Sequence, residues 1–325
     1  MTFLNPKIFD KDIEHAATRD GFGAGLVLAA DEDKNVVGLC ADLLESVKME
    51  AFAEKYPDRF IEMGICEQSM ASVASGMSAM GKIPFAASYA IFNPGRNWEQ
   101  IRTTVCYNNA NVKIVGSHSG VTVGEDGGSH QCLEDIALTR VLPHMIVIVP
   151  CDAIEAKKAT LAAAKIKGPV YLRLTRSKTP VITDENAPFE IGRSQVAYET
   201  QNAQVGIVAC GPVLYNAIRA ANELWKTGVA VSVLNLSTIK PLDEKGILDF
   251  TEKSGRKIVT VEEHSILGGM GSAVSELLAK HLPTPIEFVG TKDVFGQSGA
   301  PSELIEHYGL GVSSIKDAVT RVMSR

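Results

Sequence analysis

Short apolar runs alternate with longer stretches whose apolar residues recur at helical spacing, and the alternation continues along the whole chain. Residues 36–40, 83–87, 112–117, 145–149 and 170–174 read as buried strands. Residues 12–30, 100–109, 135–140 and 152–165 read as helices, with Asp152 placed to cap the last of them. Glycines 21, 23 and 25 weaken the first helix. Their GFGAG run follows no strand, so it is a poor match to a dinucleotide-binding turn. Residues 179–199 hold Pro180, Pro188 and several acids and read as a crossing segment. The pattern then begins afresh, with strands at 205–209, 230–234, 257–261 and 286–289 and helices at 213–226, 243–253 and 272–281. Short helices follow near 302–307 and 314–322. Strands alternating with helices predict a mostly parallel sheet in each half. The expected fold class is therefore α/β, with two domains, each a mostly parallel sheet flanked by helices. The expected boundaries are 1–183 and 201–325, with a linker at 184–200.

Composition narrows the class. The 325 residues are 45% hydrophobic and 22% charged, as in ordinary globular domains, and the length suits about two of them. The net charge is −6 and no long basic run occurs, which argues against nucleic acid or an anionic membrane as partner. No apolar run approaches the roughly 20 residues of a spanning helix. The start, MTFLNPKIFDKD, lacks the apolar core of a secretory signal, so a cytoplasmic location is expected. The six cysteines, Cys40, Cys66, Cys106, Cys132, Cys151 and Cys210, are scattered without a CxxC pair. That argues against a zinc site or a disulfide framework.

Candidate chemistry gathers in a few places. Glu67 stands just before a run of small residues, Ala71 to Gly81, that would let another helix approach closely. A carboxylate there is costly to bury unless something uses it, so the segment reads as an interface with one acid buried in it. Tyr89 and Phe92 follow the next strand. Polar groups also mark the carboxyl ends of other strands: Asp42 and Ser46 after 36–40, and Arg176 after 170–174. The loop 118–131, HSGVTVGEDGGSHQ, combines glycines with two acids and two histidines, including His118, Asp126 and His130. Histidines in such a loop can donate to an oxyanion or move protons near neutral pH. No ligand spacing makes it a metal site.

The segment 61–100 resembles the pyrimidine-binding domain of thiamine-diphosphate enzymes, and of transketolases in particular. The run EEHSILGGMG at 262–271 is similar to the C-terminal domain that transketolases share with the beta subunits of 2-oxoacid dehydrogenases. The resemblance covers nearly the whole chain. It implies that Glu67 hydrogen-bonds N1′ of the cofactor's aminopyrimidine and favours the imino tautomer, whose 4′-nitrogen removes the thiazolium C2 proton. It implies that Tyr89 and Phe92 stack on the pyrimidine, with Asp42 nearby, and that Asp126 and His130 contact substrate hydroxyls. Arg19, Ser46, His118 and Arg176 fall on positions that bind the substrate phosphate. A third family aromatic has Gly95 in its place.

The family's Gly-Asp-Gly motif, which holds the diphosphate through Mg²⁺ or Ca²⁺, is absent from this chain. The resemblance therefore implies the C-terminal subunit of a split transketolase, moving a two-carbon ketol unit between sugar phosphates. A second, N-terminal polypeptide would carry the metal, and a heterotetramer is the natural assembly. Two other readings stay open. One is a beta-type subunit of another thiamine enzyme, such as a 2-oxoacid dehydrogenase or a deoxyxylulose-phosphate synthase. The other is a non-catalytic paralogue.

Overall fold

The structure, a computed structural model, describes residues 3–325. A seven-stranded sheet runs in the order Thr238–Lys240, Ile146–Ile148, Val170–Arg173, Lys113–Ser117, Ile83–Tyr89, Val36–Cys40, Phe60–Glu62. Every pair in it is parallel except the first, where Thr238–Lys240 lies antiparallel to Ile146–Ile148. That strand comes from the second half of the chain and completes the sheet of the first. A five-stranded sheet follows, in the order Ile286–Thr291, Ile258–Ser265, Val205–Ala209, Val231–Asn235, Gln195–Tyr198. Its last strand is antiparallel. The central strands are buried along their length, as the near-continuous apolar runs require. One apolar core joins Leu39, Ile114 and Val147 of the first half to Val208, Leu234 and Met270 of the second.

Three expectations change. The first helix spans Thr18–Glu32, and the residues before it form a two-residue strand, His15–Ala16, paired with Thr179–Pro180. Its glycines serve close packing. A Cβ at Gly21 would lie 1.9 Å from the carbonyl oxygen of Ala153, and one at Gly25 would lie 2.8 Å from that of Lys157. The helix Ala153–Lys165 therefore packs backbone against backbone on it, and Asp152 caps that helix by accepting from the Glu155 amide. The stretch 184–200 is more than a linker, because Gln195–Tyr198 is an edge strand of the second sheet. The segment 100–109 is a single turn, Trp98–Gln100, running into a π-helix, Ile101–Cys106.

Glu262, Glu263 and His264 lie on the strand Ile258–Ser265 and are buried. Glu262 accepts from the amides of Met270 (2.7 Å) and Gly271 (2.8 Å), fixing the start of the helix Met270–His281. Glu263 accepts from the Thr122 amide at 2.7 Å, tying the second half to the glycine-rich loop. Among the described residues, no helix is long and apolar enough to cross a membrane.

Candidate active site

The parallel sheet brings several predicted side chains to its carboxyl edge, where α/β sheets place their sites. Tyr89 ends one strand and pairs in register with Ser117, the residue before His118. Arg176 follows the strand Val170–Arg173, and Glu67 opens the helix Glu67–Ala79.

Glu67 is 1% exposed. The Ser88 hydroxyl donates to its Oε1 at 3.0 Å, and Arg96 Nη1 donates to its Oε2 at 2.6 Å. The buried acid is therefore hydrogen-bonded and ion-paired within its own chain. Behind it stand two buried asparagines one helical turn apart. Asn97 Nδ2 donates to the Glu67 carbonyl and to Asn93 Oδ1, each at 3.0 Å. Asn93 Nδ2 in turn donates to the carbonyls of Ala86 (2.8 Å) and Val115 (3.1 Å), anchoring the turn to two strands. Sequence reasoning missed Ser88, Arg96 and this brace. The signal available was Asn-Pro-Gly-Arg-Asn, with polar groups at i and i+4 directly after a strand.

Tyr89 and Phe92 form a shelf, with ring centroids 6.0 Å apart and planes 11° apart. His118 stacks on Tyr89, with centroids 3.8 Å apart, while His130 stands edge-on to both aromatics at 6.1 and 5.7 Å. Ser129 Oγ is 3.0 Å from His130 Nδ1. Arg19 Nη1 donates to His118 Nε2 at 3.3 Å and to the Ser46 carbonyl at 2.8 Å, so Ser46 meets it through backbone. An arginine can only donate, so Nε2 of His118 accepts, and its Nδ1 carries the proton toward Ser117 Oγ at 2.9 Å. Arg176 donates to the Val123 carbonyl at 2.5 Å and approaches Glu125 at 3.3 Å and Asp126 at 3.8 Å. Arg19 is held below its ordinary value by burial, with Arg176 adding to the effect, and its Nε is buried without a partner. An unpartnered buried donor on a guanidinium with a second one nearby is suited to an anion. Asp42 is exposed on the adjoining loop, at φ 58°, and its amide donates to Glu62.

His118 is pushed down to about 3, by burial first and then by Arg19, Arg176 and His130. It is therefore the neutral form that the fold holds. The unfolded chain binds the extra proton between its ordinary value near 6.5 and the folded value, so stability is lost as pH falls through that window. Acidification from pH 6.5 to 5 is expected to remove about 2 kcal/mol through this group. Urea midpoints at the two pH values, for the protein and for His118→Asn, check it: the variant should lose most of that dependence.

Comparison with known proteins identifies both halves of the chain. The transketolase pyrimidine-binding domain matches residues 14–181, and the transketolase C-terminal domain matches residues 194–315. The chain is 41% identical over 310 residues to a "Putative transketolase C-terminal section" of Methanocaldococcus jannaschii, covering 94% of this chain and 96% of that protein. It is 37% identical to the 6-deoxy-6-sulfo-D-fructose transketolase subunit of a Clostridium species, covering 98% of each. A solved structure described as a split gene transketolase, inactive beta4 tetramer, superposes with a TM-score of 0.88 at 42% identity, covering 95% of this chain and 98% of that one. With both domains matched, and relatives alike in length that are themselves sections or subunits, the chain belongs to the transketolase family.

Proposed function

We propose that this chain is the pyrimidine-side subunit of a two-chain transketolase that transfers a two-carbon ketol unit between sugars bearing a terminal anion. The observation that carries the reading is the buried Glu67 carboxylate beside the Tyr89–Phe92 shelf, with the guanidinium groups of Arg19 and Arg176 and the neutral His118 gathered at the same carboxyl edge of the sheet. Thiamine diphosphate, when bound, supplies the carbanion chemistry, and the residues present fit its aminopyrimidine end. Glu67 holds the ring's N1′, and Tyr89 and Phe92 cover its face. Asp126 and His130 hold substrate hydroxyls and pass protons at them. Arg19 and Arg176 hold the terminal anion near Ser46, and neutral His118 positions Arg19 by accepting from its Nη1. Asp42 borders the cofactor loop. Among the described residues, no group of three or more His, Cys, Asp or Glu side chains could hold a metal ion. The Mg²⁺ or Ca²⁺ and the diphosphate then fall to an N-terminal partner chain, in a cytoplasmic heterotetramer. The helix Glu67–Ala79 leaves Gln68, Ser69, Ser72, Val73 and Gly76 exposed, a close-approach face suited to that association.

Calorimetric titration of thiamine diphosphate with Mg²⁺, into this chain alone and then with the partner, tests the division of labour. Saturable binding only with the partner supports it, and tight binding to the chain alone refutes it. A phosphate and a sulfonate both fit a cationic group of this kind, so donors of both kinds belong in the assay. Arg176→Ala should raise KM about tenfold or more for anion-bearing donors and leave uncharged donors unchanged. An equal loss for both would assign Arg176 to the glycine-rich loop it also braces.

A further inference from the structure

The backbone explains why Arg96 reaches Glu67. The turn after Phe92 is tight: a Cβ at Gly95 would lie 1.9 Å from the carbonyl oxygen of Ile91, so no side chain fits where the family's third aromatic would stand. The Arg96 amide bonds the Phe92 carbonyl at 3.0 Å, one helical turn back, which sets the two side chains on one face. The guanidinium lies over the Phe92 ring, 4.3 Å from its centroid, and reaches Glu67 Oε2 at 2.6 Å. The Arg96 side chain is 41% exposed and that of Glu67 only 1%, so the arginine lies outside the acid, toward solvent. One cation therefore engages both groups that the proposed function gives to the aminopyrimidine, the carboxylate and the ring face.

We propose that Arg96 is a latch on the pyrimidine slot: it satisfies Glu67 in the free chain and swings out when the partner chain presents the cofactor. The inference rests on the proposed function and deepens it. A buried carboxylate without a partner is costly, and Ser88 alone satisfies only one of its oxygens. Arg96 meets that need while the slot is empty, and its exposure gives it room to leave. Cofactor binding then works against an ion pair and a cation–π contact that the free chain already holds. The same competition keeps the slot closed to stray apolar or cationic ligands until both chains are assembled.

The test uses the two-chain complex, with thiamine diphosphate and Mg²⁺ as the probe, titrated by calorimetry. Arg96→Met and Arg96→Gln remove the charge at similar length. Both should tighten the apparent Kd by about tenfold, the effect of one charge-assisted hydrogen bond no longer opposing binding. Both should also lower the melting temperature of the cofactor-free chain, with the deficit recovered on saturation. Unchanged or weaker binding in a variant whose far-ultraviolet spectrum is native overturns the latch and makes Arg96 a permanent partner of Glu67. Should one variant fail to fold, the other carries the measurement. Glu67→Ala separates the two levels of the proposal. If it weakens binding while the Arg96 variants do not tighten it, the latch fails alone. If it leaves the affinity unchanged, the site itself fails.

Discussion

Replacing Glu67 with alanine is expected to lower turnover of the two-chain enzyme by about three orders of magnitude, within the range that a positioned proton-transfer group supplies. The reason is local. The carboxylate is buried, its backbone is pinned by Asn97, and its two oxygens face Ser88 and Arg96. Among these neighbours Glu67 alone carries a carboxyl group, which can exchange a proton with a ring nitrogen. Alanine also strands Arg96 against Phe92, which should weaken cofactor binding further. Single-turnover rates at saturating thiamine diphosphate separate the two effects. Glu67→Gln, which keeps the shape and the Ser88 contact, should retain binding better than rate. Near-normal rates in both variants would remove Glu67 from the chemistry.

The largest expected loss of stability lies away from the site. Asp135 and Arg173 form an ion pair at 2.7 Å with side-chain exposures of 0% and 2%. The Tyr171 hydroxyl donates to the same carboxylate oxygen at 2.7 Å, and Arg173 Nη2 donates to the Glu263 carbonyl at 2.9 Å. Burial alone would pull the Arg173 guanidinium down, but Asp135 outweighs it and holds the group above its ordinary range. Asp135→Ala leaves that cation buried and uncompensated, and the expected cost is about 3–5 kcal/mol. Urea denaturation reads it as a lower midpoint. Adding Arg173→Met should restore much of the loss, because an apolar pair is tolerated where a lone charge is not. A small effect of the single change would mean that water reaches Arg173.

How far the sequence could be read follows from what each element depends on. The strands Val36–Cys40 and Val205–Ala209 and the helix Asp135–Arg140 were legible to the residue, each following directly on a polar residue, Asn35, Gln204 and Glu134. Helix Thr18–Glu32 was harder, because its glycines answer to a neighbouring helix and not to local propensity. Gln195–Tyr198 and Thr238–Lys240 are short, and only long-range pairing makes them strands, so no local pattern marks them. At the site, the buried acid Glu67 and the histidine-bearing loop with His118 and His130 stood out from residue type, whereas Tyr89, Phe92, Arg19 and Arg176 were singled out by the family resemblance. Their joining into one group could not be read, because it depends on strand register and on the left-handed backbone at His118, φ 55°. Arg96 escaped notice for a similar reason. Its role follows from a tight turn at Gly95, and an exposed arginine in sequence is unremarkable.

The strand Thr238–Lys240 has a consequence for how the chain can be divided. It closes the edge of the first domain's sheet against Ile146–Ile148, and Lys240 Nζ further ties it to the carbonyls of Arg140 and Leu142. A chain cut between its two sequence halves would leave that edge bare, a template for pairing with other copies and for aggregation. The halves are therefore interlocked and should melt as one cooperative unit. A break between the two sequence halves cannot run through this sheet without leaving an open seam.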